Sequence, residues 1–370
     1  MIKVNTKIGT PAVRFNPAFY KTAYNQFRQG IFRDLIEMMN RAEIDSHIAG
    51  SLVGRKAGFQ RDFSLVAFSD SEADMQRAEW VKNVIKNLDH RNLFKDIQKA
   101  VLKKFSVVDF EWQVVDGRQV PVRHIFLDHK YFRYKDGVLK IDFGRELKDI
   151  PNEALVCETS EVPVLLPVLR DFILKDFGLE SWASFIETFG EGMIIGKYPA
   201  GADNEFKKEV EEAVKAIARS SRGIMPDGAE ITLTETQRTT GDHEKFVETA
   251  NKGISIAILG HANAVEQSKG LQVGENISSY KVKREIAVDD MYFIDSCMQK
   301  LIRILIDRNF ADGRYPVFEM DKKEPVNVKE HLEVVDTAFN HGLEISPDEY
   351  RKLGLMVAPE QQPLTKTSPF

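Results

Sequence analysis

Disulfides cannot organise this chain. Its 370 residues include two cysteines, Cys157 and Cys297, each in an apolar stretch, so they read as buried thiols of a protein made in a reducing compartment. Long apolar runs are missing too. No stretch approaches the roughly 18 residues of a membrane span, and Met1-Ile2-Lys3-Val4-Asn5 lacks the apolar core of a secretion signal. The expectation is a soluble cytoplasmic product with no membrane partner. Cationic excess is absent as well: 51 Lys and Arg stand against 56 Asp and Glu, a net charge of −5. That argues against a dedicated nucleic-acid reader, because tight backbone binding rests on clustered cations that release counterions. A DNA conduit remains compatible, since each phosphate held firmly would be a brake on passage.

Catalytic motifs are the next absence. Gly190-Glu191-Gly192-Met193-Ile194-Ile195-Gly196-Lys197-Tyr198 glances at a nucleotide loop but fails it. A P-loop puts four residues between its first glycine and Gly-Lys, then Ser or Thr; here Gly192 leaves three, Gly190 leaves five, and Tyr198 follows. His124, Asp128 and His129 offer metal-ligand chemistry. Strand alternation puts His124 and Asp128 on one face and His129 on the other, so surface polar residues are the plainer reading. No nucleophile elbow or zinc pattern occurs, and neither catalysis nor a cofactor is expected.

What is present is periodicity. At 43% hydrophobic residues the chain has room for two or three domains. Residues 1–30 carry Phe15, Phe19, Tyr20, Tyr24 and Phe27 without a clean period, Pro11 and Pro17 should break any early helix, and the segment reads as a docking arm. Leu35, Ile36, Met39 and Ala42 support a helix, interrupted afterwards by Gly50, Gly54 and Gly58. Two helical stripes follow between Glu72 and Lys104, with a break at Asp89-His90-Arg91-Asn92. The period then changes to two. Val107–Val115 and Val120–Leu127 flank Asp116-Gly117, and Tyr131–Tyr134 and Val138–Ile141 flank Asp136-Gly137, so two hairpins in one small antiparallel sheet are expected.

Beyond Pro163 and Pro167, Leu169 to Phe189 forms a helix with Gly178 inside it. Met193–Tyr198 reads as a strand, Asp203 or Asn204 as the cap of a helix bearing Phe206 and Val210, and Pro226-Asp227-Gly228 as a turn into another strand. A helix then runs from about Phe246 to Gly260. His261–Asn276, with Gly270 and Gly274, is a polar loop, and from Tyr280 the residues Ala287, Met291, Ile294, Met298, Leu301 and Leu305 keep helical spacing. Lys281, Lys283 and Arg284 precede Glu285, Asp289 and Asp290, and intrahelical or intersubunit pairing accounts for those charges. A short strand at Tyr315–Met320, two short helical patterns and a tail with three prolines complete the chain.

Helix, Ala257-Ile258-Leu259-Gly260, polar loop and long helix together resemble the Mu-type phage portal family. Trp182-Ala183-Ser184-Phe185-Ile186-Glu187 with Ile195-Gly196-Lys197-Tyr198-Pro199 resembles its helix-to-clip junction, and Ile224–Ile231 its next strand pair. The resemblance covers about Phe105 to Phe318. It implies an α+β portal fold: arm 1–30, α/β wing 31–162, first stem helix 163–189, α/β clip 190–240, second stem helix 241–260, channel loop 261–276, tunnel helix 277–310, wing return with a short helical crown 311–357, and tail 358–370. Asn263, Gln267, Lys269, Gly270, Gln272 and Gly274 would then face DNA in the channel. Trp182, Phe185, Met291, Ile294 and Met298 would pack subunits, while Tyr198, Phe206, Met225 and Asp227 would belong to the clip.

The implied function is a ring of about twelve copies at one vertex of a virion capsid, made in a host bacterial cytoplasm. Its partners would be the terminase large subunit, the major capsid protein, head-completion or adaptor proteins, and double-stranded DNA passing without sequence readout. The alternatives are a head-to-tail adaptor or connector and a metal-dependent hydrolase using His124 and Asp128.

Overall fold

The computed structural model describes residues 16–59, 62–144, 146–189, 193–220, 229–234, 240–262 and 273–323. Its first helix, α1 (Pro17–Arg28), starts where Asn16 Oδ1 accepts the Phe19 N–H at 2.8 Å. Pro17 occupies the first turn, where a missing N–H costs nothing and its fixed φ suits the helix. It therefore begins a helix that it was expected to break. Ala23 is buried and Phe19, Tyr20 and Phe27 pack around the same core, so this part of the arm docks on its own chain.

The next helix, α2 (Arg33–Ala42), buries Leu35, Ile36, Met38 and Met39. Asp45 then caps α3 (Ser46–Ala57), accepting from His47 N at 3.0 Å and Ile48 N at 3.1 Å. Gly50 and Gly54 lie inside α3, a correction to the reading of them as interruptions. Helices α4 (Glu72–Asn87) and α5 (His90–Lys103) are separated at Asp89, whose φ of +53° stops the first before the second starts.

Both hairpins form. Strands β2 (Phe105–Val115) and β3 (Arg118–Leu127) turn through Asp116 and Gly117, and β4 (Phe132–Lys135) and β5 (Val138–Asp142) through Asp136 and Gly137, with positive φ at all four turn residues. They enter separate sheets, not one. A short 3₁₀ turn at His129–Tyr131 redirects the chain between them. The first hairpin gains β7 (Leu155–Glu158) in the order β3-β2-β7, and the second gains β6 (Leu147–Asp149) in the order β4-β5-β6. Strand β1 (Phe63–Val66) pairs antiparallel with β10 (Val317–Met320) across most of the chain.

Strand β2 divides two apolar cores. Phe105 and Val107 face a core built with α1, α2 and α3, and Val108 and Phe110 face one built with α4 and α5. Buried on both sides, that half of β2 loses the apolar–polar alternation, and it buries Ser106 and Asp109 along with its apolar residues. Three longer helices complete the packing. They are α6 (Leu165–Phe189), α8 (Thr240–Leu259) and α9 (Val273–Asn309), with β8 (Met193–Lys197), α7 (Asn204–Ser220) and β9 (Glu230–Thr234) between α6 and α8. The first half of α6 and the end of α8 close the first core, while α9 crosses the second.

Met291, Ile294 and Met298, expected between subunits, are at most 1% exposed within the single chain. That expectation is corrected. α5, β7 and β10 cover this face of α9, so no apolar surface is left there for a neighbour. Side chains from α9 also satisfy the outer edge of β10: Gln299 Oε1 accepts from Phe318 N at 3.1 Å and Asp295 Oδ1 from Met320 N at 3.0 Å. Among the described residues, no helix is long and apolar enough to cross a membrane.

Candidate functional site

Two reciprocal notches lock α6 to α8. A Cβ added at Gly178 of α6 would stand 2.7 Å from a ring carbon of Phe246 on α8, and one at Gly253 of α8 would collide with the Asp171 carboxylate on α6. The contacts lie seven residues apart on each helix, in opposite directions, so the helices run antiparallel with a heptad register. Large apolar side chains stay exposed on this pair among charged and polar ones. Phe177 is 59% and Ile256 53% exposed, and Leu174, Ile186 and Phe246 are exposed beside them.

At the far end of this pair sits a small α/β module. β8 and β9 pair antiparallel from Met193 opposite Thr234 to Lys197 opposite Glu230. Asp203 caps α7 by accepting from Phe206 N at 2.8 Å. Val210 and Val214 then sit over Gly196, where a Cβ would stand 2.9 and 2.8 Å from their methyl groups. The other side of α7 is exposed and charged, with Glu205, Lys208, Glu209, Glu211, Glu212 and Lys215. Tyr198 is half exposed, and the Lys207 ammonium lies 5.6 Å from its ring centre.

The other end is gripped by α3. Arg55 makes a bidentate pair with Asp290 of α9 at 2.8 and 2.9 Å, and its remaining nitrogen donates to the Ile258 carbonyl of α8 at 2.9 Å. Asp290 is 2% exposed and also accepts from Gln98 of α5 at 2.6 Å. It is therefore tied to α3 and α5, a correction to its assignment as a partner of Lys281, Lys283 and Arg284. His47 Nε2 lies 2.8 Å from Ser255 Oγ of α8, and Lys175 of α6 donates to Asp45 at 2.7 Å. Close approach is what the glycines serve. A Cβ at Gly58, the residue after α3, would stand 2.6 Å from Ala287 Cβ of α9. Gly260, with φ of +70°, ends α8 against Val282 and Ile286.

The expected channel residues Asn263, Gln267, Lys269, Gly270 and Gln272 lie outside the described residues, as do Met225 and Asp227 of the clip. Gly274 falls in the first turn of α9, because that helix begins at Val273, earlier than expected. Trp182 and Phe185 both lie in α6, Tyr198 stands beside Lys207 of α7, and Phe206 belongs to that same helix.

The hydrolase residues do not converge. His124 contacts the Leu88 carbonyl and lies 3.3 Å from Asp96, while Asp128 accepts from Lys130 N and pairs with its ammonium. His129 is buried, with Nε2 donating to the Phe105 carbonyl at 2.7 Å, and desolvation brings its pKa down to about 3. Among the described residues there is no group of three or more His, Cys, Asp or Glu that could hold a metal ion.

Comparison with known proteins agrees with this architecture. Residues 36–355 match the family described as the portal protein of Mu bacteriophage. The Mu-like prophage FluMu protein gp29 of Haemophilus influenzae is 24% identical over 389 aligned positions, covering 95% of this chain and 73% of that protein. The portal protein of Escherichia phage Mu is 26% identical over 67% of this chain, which spans only about half (52%) of that relative's length. In fold, the chain is similar to one from the virion of a native gene transfer agent particle, with TM-score 0.60, 9% identity, and coverage of 92% and 99%. It is also similar to one from the neck of such a particle computed with C12 symmetry, with TM-score 0.59, 9% identity, and coverage of 88% and 94%. The chain belongs to the portal protein family of Mu bacteriophage.

Proposed function

We propose that this chain is the portal subunit of a Mu-like particle: copies close into a ring of about twelve at one capsid vertex, and double-stranded DNA passes through the centre during packaging and ejection. The observation that carries this reading is the set of large apolar side chains left exposed on α6 and α8 in a single chain, Leu174, Phe177, Ile186 and Ile256. A second copy covers them. The fold is shared with a chain in a neck of twelvefold symmetry, and a ring needs two different faces of each subunit in contact. The α/β module of β8, α7 and β9, with its charged outer helix, is the docking site for terminase before packaging ends and for head-completion proteins afterwards. The stretch between α8 and α9 is the element that lies along the DNA, with Lys269 its cation, and the major capsid protein surrounds the wing. The role is structural, with ATP hydrolysis left to terminase.

Electron micrographs of the purified protein test the assembly directly. Closed rings with a central channel are expected, and a monodisperse monomer at micromolar concentration overturns the reading. For the channel, Lys269→Ala should leave rings intact and lower the DNA content of assembled particles. Unchanged DNA content removes Lys269 from the path.

A further inference from the structure

Strand β7 and helix α9 lie against each other in the second core, where Lys300 Nζ donates to the Val156 carbonyl at 3.2 Å. One residue along the strand and one turn back along the helix stand Cys157 and Cys297, 0% and 1% exposed. Both side chains belong to the second core, on two elements that pack against each other. Burial holds the Cys157 thiol well above its ordinary range, while the neighbouring Cys157 thiol and the Lys300 ammonium favour charge on Cys297. The pair is thus asymmetric, with one sulfur suited to attack and one to resolve. Ring formation has no use for either thiol.

We propose that Cys157 and Cys297 form a redox modification site, which a small disulfide of the glutathione class converts to an internal disulfide joining β7 to α9. When this contact opens locally, Cys297 releases its proton to solvent and its thiolate attacks one sulfur of the small disulfide. That S–S bond breaks, leaving a mixed disulfide on Cys297 and one small thiolate, which takes up a proton. Cys157 then loses its proton and attacks Cys297 Sγ, expelling the second small thiol. Two protein thiols and one small disulfide become one protein disulfide and two small thiols, with two electrons passing to the small disulfide. The covalent loop encloses α6, β8, α7, β9 and α8, so oxidation fixes both chain connections of the helix pair to the body.

The full-length native protein is incubated with oxidised glutathione and analysed by intact mass and by peptide mapping without reduction. Expected is loss of both thiols together, a Cys157–Cys297 cross-linked peptide, no retained glutathione, and a higher unfolding temperature that dithiothreitol reverses. Cys157→Ser should keep one glutathione on Cys297, and Cys297→Ser should remain unmodified while folded. Two glutathiones on the wild-type chain, an adduct on Cys157 in Cys297→Ser, cross-links between molecules, or both thiols surviving as long as the chain stays folded would each overturn the proposal. The peptide map needs only the wild-type protein, so it decides even where a variant fails to fold.

Discussion

Helices α6 and α9 carry similar apolar periodicity and end in opposite situations. On α9, the positions from Ala287 to Ile306 are closed over by α5, β7 and β10 of the same chain. On α6, Leu165, Val168, Leu169 and Phe172 enter the first core, but Leu174, Phe177 and Ile186 project beyond it. The difference is one of reach. A helix of 25 residues is about 37 Å long, and the body of the subunit covers only its first half. Past that point α6 has α8 as its apolar partner, and two helices cannot cover each other all round. Periodicity reports that a face is apolar; whether the same chain or another copy covers it depends on how far the body extends.

The sharpest break of this comparison puts one charge on each helix. Ile294→Asp places a carboxylate at a fully buried position of α9 with no partner, and should cost at least about 4 kcal/mol. Circular dichroism should then find a chain that unfolds or aggregates. Retained native signal with lost assembly would return Ile294 to the subunit interface.

The α3 bracket comes next. Asp290→Ala leaves Arg55 and Gln98 buried beside a vacated acceptor, and should cost about 3–5 kcal/mol. Replacing the pair together, as Arg55→Met with Asp290→Leu, should recover much of that loss, because both desolvation costs disappear. Urea midpoints of the wild-type protein and the two variants measure it. A double variant no better than Asp290→Ala would mean that the Arg55 bond to the Ile258 carbonyl matters more than the ion pair.

A smaller effect depends on pH. His129 is neutral in the folded chain down to about pH 3 and protonates near its ordinary value when unfolded. The unfolded state therefore binds more protons between those values, and stability falls as pH drops through that window. At pH 5 the loss from this residue is about 2 kcal/mol. His129→Gln should flatten that part of the profile, while an unchanged profile would assign acid sensitivity elsewhere. His124 has the opposite sign, since its bond to Asp96 raises its pKa; its contribution is present at low pH and lost as pH rises through the raised value.

Local chemistry made much of the fold legible in the sequence. Asp116-Gly117 and Asp136-Gly137 fix positive φ at two hairpins, Gly260 ends α8, and the spacing from Ala287 to Leu305 marks α9. What could not be seen depends on partners far along the chain. β1 is four residues long and finds β10 some 250 positions later, and β6 has three residues. Arg55 and Asp290 are 235 positions apart, and neither carries a local signal of pairing. Gly58 did carry one. A glycine just past a helix end permits close approach of another element, and reading it as a break hid its contact with Ala287 of α9. Of the candidate site, the order of elements was legible. The division of apolar residues between core and exposed face was not, because strand, core-facing helix and interface-facing helix use the same side chains.

The least disturbance to the subunit should come from the exposed side of α6, and there the comparison becomes most informative. Phe177 stands 59% exposed, so Phe177→Asp buries no charge in the single chain and should shift subunit stability by no more than about 0.5 kcal/mol. In the proposed ring the same position would meet a neighbour, and an unpaired carboxylate at that contact would cost several kcal/mol at each interface. A closed ring makes the loss cumulative, since every subunit repeats it. Urea unfolding of the monomer and sizing chromatography of the assembled protein should therefore separate, the first nearly unchanged and the second moved from ring to monomer. Ile256→Asp on α8 should behave in the same way, whereas Tyr292→Asp, exposed on α9, serves as a control for added charge alone. Intact rings in both Phe177→Asp and Ile256→Asp would mean that the outer side of α6 and α8 faces something other than a second copy, and would detach the ring from the surface on which it has been placed.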